Sequence, residues 1–326
     1  MKVLVLVFLA ALTSATRAYR PYTVDQAAEQ FQEFITTFNK HYSSEEEKTL
    51  RFEIFKKNLQ LINQKNSESN SSVYGITKFS DLSTEEFLKR HTGYIGTKLQ
   101  DGPSCQNGTP KSTSAPDAFS WKDQGVISKP KDQEDCGSCW AFGAIGNVEA
   151  HYAIKHKDLL DLSEQQVVDC DKNSHGCGGT NSVEYPFVYL NGSGAMLEKD
   201  YPYIGQNGQC NFKPSEVKVK LTNCVTYRPK NEEELKYLVH SAGPVSIAID
   251  ATAFQQYTNG ILPDCPLNEL NHVVLIVGYG SENGTDFWLI KNSWGVLFGE
   301  EGYVRIKRGV NACGLMTSVA VEAVVN

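Results

Sequence analysis

The sequence has no basic surplus. Its 31 Lys and Arg stand against 38 Asp and Glu, a net charge of −7. That excludes the basic footprint a nucleic-acid binder needs. No apolar run, the ten-residue one at its N-terminus included, is long enough to cross a bilayer. It has no H-E-x-x-H and only one C-x-x-C, so the common metal signatures are missing. Internal repeats and long low-complexity tracts are absent too, and the 326 residues read as one or two domains plus processed segments. What is present is enough apolar sequence for a sizeable core, 40% of the chain, and nine cysteines.

The chain opens with Lys2, an apolar run from Val3 to Leu12, and small residues offering cleavage after Ala15 or Ala18. This order predicts a secretory signal peptide over residues 1–18. In that compartment disulfides persist. The sequons at Asn70, Asn107, Asn191 and Asn283 then predict exposed loops that can accept glycans.

Residues 23–88 carry helical periodicity. Phe31, Phe34, Phe38 and Tyr42 fall on one face. Glu47, Arg51, Phe55, Asn58, Ile62 and Asn66 then recur at spacings of 4, 4, 3, 4 and 4, one stripe along one helix. Glu47 sits where it can pair with Arg51. Taken alone, such a stripe is a packing face. From Leu99 to Ser114 the chain turns polar, rich in Gly, Pro, Ser and Thr, which predicts an exposed linker open to proteolysis. The last hundred or so residues read as strands. Apolar runs at 272–280, 287–295 and 302–308 follow one another, the first two joined by a turn containing Asn-Gly.

Chemistry gathers at Cys136-Gly137-Ser138-Cys139. Such a pair serves as a redox switch, as half of a metal site, or as a bridge cysteine beside a reactive thiol. After Ser138, Ala141, Ile145, Val148 and Tyr152 form a stripe that predicts a helix ending near Lys155. Cys139 would stand at its N-terminus, where the dipole and free N–H groups lower a thiol pKa. His272 and Asn292 each lie ten residues from Glu282. A hairpin folding symmetrically about Glu282 makes them cross-strand neighbours, a base and a neutral group to orient it, facing a thiol. A lone His at a strand end is more often structural; the matched spacing sets this one apart. His41, His91, His151, His156, His175 and His240 read as surface or packing residues.

The segment CGSCWAF, Cys136–Phe142, resembles the signature of papain-like cysteine proteases, whose His and Asn follow about 130–150 residues later. Here they follow at 133 and 153. NHVVLIVGYG and KNSWG resemble the family's His and Asn motifs, and the resemblance covers nearly the whole chain after the signal peptide. It implies an α+β, papain-like two-domain fold. A mainly helical domain over about residues 116–225 would carry Cys139. An antiparallel, β-barrel-like domain over about 226–326 would carry His272 and Asn292, with the active-site cleft between. The resemblance makes Cys139 the nucleophile, His272 the acid/base, Asn292 its orienting group and Trp294 the shield over that hydrogen bond. Gln133 and the Cys139 N–H would form the oxyanion hole. Gly137, Ser138, Gly179 and Thr180 would meet the substrate. Asn181, Ala248, Leu270, Val273 and Ser318 would form the pocket for the residue two before the scissile bond. That pocket is mainly apolar with no acidic floor, which implies bulky aliphatic or aromatic residues over Arg. The family bridges would be Cys136–Cys177, Cys170–Cys210 and Cys265–Cys313. Cys105 and Cys224 are left to pair in the zymogen or to stay free. No cofactor or metal is implied. The partners are protein and peptide substrates and cystatin-type inhibitors, met by a monomer.

The Glu47–Asn66 stripe resembles the E-R-F-N-I-N pattern of the family's propeptide. Gly75, Thr77, Phe79 and Asp81 resemble its G-x-N-x-F-x-D motif, with Thr for Asn. This implies a zymogen: an inhibitory propeptide over 19–113 lying backwards in the cleft, and a peptidase over 114–326 that begins near Ser112–Ala115 once the linker is cut. Carboxylates such as Asp81, if salt-bridged there, would have depressed pKa values and lose their hold as pH falls. The propeptide motif points to the cathepsin L-like group. AIKHKDLLDLSEQQVVDCD, NACG and the two spare cysteines resemble viral and insect cathepsins. The destination would be the lysosome or the extracellular space. No insertion resembles an occluding loop, which implies endopeptidase action.

Three positions depart from the family pattern: Thr180 and Glu134 replace glycines, and Phe298 stands where Trp is common. Thr180 would narrow the cleft. Two other classes fit less well. A thiol–disulfide oxidoreductase needs its C-x-x-C in a βαβ unit, which is missing. An inactive papain-fold binding protein would have lost Cys139, His272 or Asn292, and all three are present.

Overall fold

A computed structural model describes residues 20–96, 102–110, 113–263 and 265–326. The expected signal peptide lies outside these residues, as do Leu99–Asp101 and Lys111–Ser112 of the linker. Three helices come first: α1 (Ala27–Thr37), α2 (Glu45–Ser69) and α3 (Thr84–His91). The Ser44 hydroxyl caps α2 by accepting the Glu47 N–H, and Asn70 ends it in the left-handed conformation. Phe31 and Phe34 pack on Phe55, closing α1 onto α2.

The polar members of the α2 stripe tie the helix to the segment that follows it. Arg51 Nη1 donates to both Glu86 oxygens, at 3.0 and 2.8 Å, and to the Asp81 carbonyl. Asn58 donates to the Ser80 and Leu82 carbonyls, and Asn66 exchanges two bonds with the Tyr74 backbone. Buried backbone groups must find partners, so the stripe is more than a packing face. Asp81 meets Lys40 and the Tyr42 hydroxyl, each at 3.0 Å. A capping box between Ser83 and Glu86 starts α3.

Downstream, α4 (Cys139–His156), α5 (Glu164–Cys170) and α6 (Tyr185–Ser193) gather around Ile145, Val148, Val167, Phe187 and Leu190. The remainder is built on a nine-stranded sheet among the described residues. Its strands are β1 (Gln106–Asn107), β2 (Phe119–Ser120), β5 (Leu221–Tyr227), β6 (Val245–Ile249), β7 (Ile261–Leu262), β8 (His272–Glu282), β9 (Thr285–Lys291), β10 (Tyr303–Lys307) and β11 (Ala320–Val325). Their order is β1-β5-β11-β6-β8-β9-β10-β7, with β2 added to β8. A ribbon of β3 (Ala195–Met196) and β4 (Val217–Val219) lies apart, and α7 (Glu232–Ser241) follows β5.

All of β6 and the first nine residues of β8 are buried. That is the pattern of strands covered on both faces, and α4 packs against β8, β6 and β11. The division expected at residues 225/226 falls inside β5, and β2 crosses from the helical half to pair with β8. Among the described residues no helix is long and apolar enough to cross a membrane.

Candidate active site

Cys139 is the first residue of α4 and fully buried. Among the described residues it is the one free cysteine. Cys136 is bridged to Cys177, and the Gly137 N–H donates to the Cys177 carbonyl. The Val273 N–H donates to Cys139 Sγ at 3.3 Å. A thiol at a helix start was expected to ionise readily. Instead burial pushes it up to about 12, against the Val273 and Trp140 N–H groups. The Gly93 N–H, in the segment that crosses the cleft, also faces the thiol.

The hairpin is offset from the symmetric expectation. Its turn is Asn283–Gly284, with φ of 51° and 77°, the pair of left-handed residues a two-residue hairpin requires. Glu282 pairs with Thr285, a shift falls between Ile276 and Gly278, and Leu275 faces Lys291. Continued, that register sets Asn292 across from Val274, and His272 pairs with Ile249 on the other side. His272 and Asn292 are therefore diagonal rather than opposite. An offset of two keeps them on one face and within reach, and Nε2 lies 2.8 Å from Oδ1.

Asn292 Oδ1 also accepts the Ser293 N–H, which identifies it as the amide oxygen. Nε2 must then carry the proton, leaving Nδ1 as the working nitrogen. Nδ1 is buried and has no hydrogen-bond partner among the described residues. The Trp294 ring lies 4.7 Å from the imidazole. Burial drops His272 to about 4, against the bond it donates to Asn292.

Gln133 is held from both ends. Its Oε1 accepts from Ser293 Oγ at 2.7 Å, and its Nε2 donates to the Cys136 carbonyl at 2.8 Å. Nε2 also reaches the His91 carbonyl at 3.2 Å, which Trp294 Nε1 meets at 3.0 Å. From there the chain crosses the cleft. The Gly93 and Tyr94 N–H groups donate to the Asn271 carbonyl, the Thr180 N–H to the Gly93 carbonyl, and the Ile95 N–H to the Thr180 carbonyl. Tyr94 and Thr180 form a parallel bridge.

The contact is backbone on backbone. A Cβ on Gly93 would stand 2.0 Å from the Gly137 carbonyl oxygen, and one on Gly179 2.5 Å from that of Gly93. The Thr180 side chain does not narrow the cleft. It is buried, with its hydroxyl donating to the Ser182 carbonyl and accepting from Ser174. The Ser138 hydroxyl turns away to Tyr203, at 2.7 Å. Tyr94 and Leu270 both pack on the apolar cluster that includes Ala248 and Val273. With Asn181, Leu270 and Ser318, Tyr94 also lines a cavity of about 800 Å³.

Residues 115–323 match the papain family cysteine protease profile. The chain belongs to the papain family of cysteine proteases. Residues 31–87 match the cathepsin propeptide inhibitor domain, so this papain-family protease is a zymogen. It is 42% identical, over 98% of each chain, to the viral cathepsin of Spodoptera exigua nuclear polyhedrosis virus (strain US). It is also 42% identical to that of Mamestra configurata nucleopolyhedrovirus, over 93% of this chain and 90% of the other. Among solved structures it resembles digestive procathepsin L 3 of the Tenebrio molitor larval midgut, with TM-score 0.80 and 35% identity over 91% of this chain and 99% of that one. It likewise resembles the recombinant stem bromelain precursor, with TM-score 0.81 and 34% identity over 92% and 99%.

In this papain-family protease the three family bridges are formed, and Cys105 pairs with Cys224. Glu134 holds φ at 55°, the region its family glycine favours. Phe298 is buried edge-on against Trp294 at 4.7 Å. All four sequon asparagines are exposed, though Asn191 lies in α6 and Asn107 in β1 rather than in loops. Sequence reasoning missed His91, Gly93, Tyr94, Asn271 and Ser293. Their roles depend on contacts between residues 42 or more apart in the chain, for which no local periodicity gives a signal.

Proposed function

We propose that this zymogen becomes a secreted or lysosomal endopeptidase that cuts peptide bonds with a Cys139 thiolate and a His272 imidazolium. The observation that carries this is the covered pair itself. Cys139 Sγ sits at a helix start and accepts the N–H of Val273, the residue next to His272, whose imidazole Asn292 orients; residues 93–95 bond across the cleft. Withdrawal of the propeptide admits water and lifts the desolvation that holds thiol and imidazole neutral. The helix N-terminus then favours the thiolate, and the proton moves from Sγ to Nδ1.

A substrate running opposite to the propeptide pairs with Thr180 antiparallel. The thiolate attacks the scissile carbonyl carbon. Its oxygen gains the electron pair and is held by Gln133 Nε2 and the Cys139 N–H. Nδ1–H protonates the leaving nitrogen as the C–N bond breaks, giving the acyl-enzyme. Water, losing its proton to His272, hydrolyses it and restores the thiolate. An oxidoreductase reading has no support, because Cys136 is already bridged to Cys177.

The apolar cluster on which Tyr94 and Leu270 pack, with Ala248 and Val273, supports a preference for bulky apolar residues two before the cut. A panel of peptides varied at that position tests it. Leu, Phe and Tyr are expected to lead, and fastest cleavage after Arg there would overturn the reading. Exposed sequons and four disulfides fit passage through the secretory route.

A further inference from the structure

The linker is fastened to the peptidase more firmly than a processing segment needs to be. Cys105 is bonded to Cys224 of β5. β1 adds to β5 in parallel, with Gln106 beside Val225 and Asn107 beside Thr226, and the Gly108 N–H donates to the Thr226 carbonyl at 2.8 Å. Asn223 donates to the Gln106 side chain and Arg228 to that of Asn107. The Cys105 N–H donates to Glu184 Oε1, a buried carboxylate that also accepts from the Thr226 hydroxyl. Without this arm β5 would be an open sheet edge, an unpaired row of N–H and C=O groups.

The bridge constrains maturation. Any cut between Cys105 and the start of the peptidase leaves the inhibitory helices covalently attached through Cys105–Cys224. An inhibitor held in this way stays at high effective concentration whatever the dilution. While the bridge holds, freeing it requires a break before Cys105, and that break leaves Cys105 and its strand behind.

Just ahead of the bridge, Pro103 and Ser104 line the same cavity as Asn181, Leu270 and Ser318. Gly102 abuts the Tyr185 ring, where a Cβ would stand 2.3 Å from the hydroxyl oxygen. We propose that the arm anchored by Cys105 stays on the peptidase after maturation and forms the outer wall of the substrate cleft, contacting residues three and four before the scissile bond. This rests on the cleft reading given under Proposed function.

The test begins with the acid-matured enzyme, its chain termini sequenced and its mass measured with and without a dithiol. Cys224 is expected to be bonded to Cys105. The arm is then either the N-terminus of the main chain or a short peptide that the dithiol releases. A free Cys224 on a chain beginning after Cys105 overturns the proposal.

The second arm compares a substrate that reaches only two residues before the cut with one that reaches four. The double variant Cys105→Ser, Cys224→Ala should keep kcat/KM on the short substrate and change it about tenfold on the long one, the scale of a lost pocket contact. Ser104→Trp, which keeps the bridge, should slow the long substrate alone. Unchanged long-substrate kinetics in both variants overturns the wall. A wild-type enzyme inert on the short substrate refutes the cleft reading instead, while the bonding of Cys224 still decides whether the arm is retained.

Discussion

Acidification should undock the propeptide through His91. This ring ends α3 and is 5% exposed, with Nδ1 at 3.0 Å from the Glu134 carbonyl and Nε2 at 3.4 Å from Asp135. Phe79 packs on it at 4.6 Å between ring centroids, and Phe87 lies beyond. Lys78 and Asp132 are the other charges nearby. Burial pulls its pKa down to about 4, and Asp135 does not restore it.

In an undocked propeptide the ring returns to its ordinary value near 6.5. Between pH 6.5 and 4 the docked state therefore binds fewer protons than the undocked one. Docking is fully supported above pH 6.5, weakens as pH falls through that window, and loses nothing further from this group below 4. The full penalty is about 3 kcal/mol, and at pH 5 it is about 2 kcal/mol, or roughly 30-fold in the opening equilibrium.

Hydrogen exchange at the Gly93, Tyr94 and Ile95 amides reads this directly, because those N–H groups bond across the cleft. In a Cys139→Ala zymogen, which cannot process itself, their protection should fall at least about 30-fold from pH 7 to pH 5 after correction for intrinsic rates. His272, also depressed by burial under the propeptide, adds its own share. His91→Leu should remove roughly the 30-fold share that His91 supplies. Glu86 cannot mimic this at pH 5. Burial would raise Glu86, but Arg51 and the Ser83 N–H hold it below its usual value, so its support is lost only at lower pH. Parallel loss of protection in the parent and the His91→Leu protein would refute the argument.

Two substitutions address the cleft from either side. Gln133→Ala removes one donor of the oxyanion site and should lower kcat about 10²–10³-fold with KM little changed, read from steady-state kinetics on the matured enzyme. Gly93→Ala forces a methyl into the Gly137 carbonyl, a clash of the overpacking kind that costs about 1–3 kcal/mol. It should speed processing at neutral pH, followed as the rate of zymogen disappearance on a gel.

Much of this was legible in sequence because it is local. The phenylalanines of α1, the stripe of α2 and the start of α4 at Cys139 follow from helical spacing. The meeting of His272 and Asn292 was anticipated for a partly wrong reason. The turn centre is Asn283–Gly284 and the strand carries a bulge, yet an offset of two preserves the face. Burial was not legible. The family resemblance put a propeptide in the cleft, but nothing in the pattern around Cys139 announces how deeply the thiol is buried, so its shift came out opposite to that of an open helix N-terminus. Asp81 does meet Lys40, as the acid-activation idea required, but the groups whose burial weakens docking between pH 6.5 and 4 are His91, read only as a surface or packing residue, and His272. The partner of Cys105 was undetermined until the fold brought β1 against β5.

The most direct test is labelling with a thiol-directed epoxide, followed by peptide mapping. After acid maturation the label should sit on Cys139 and vanish in Cys139→Ala, while the unprocessed zymogen at neutral pH stays unlabelled. Equal labelling of the neutral zymogen, or a label on any other cysteine, would contradict a Cys139 nucleophile held covered by its own propeptide.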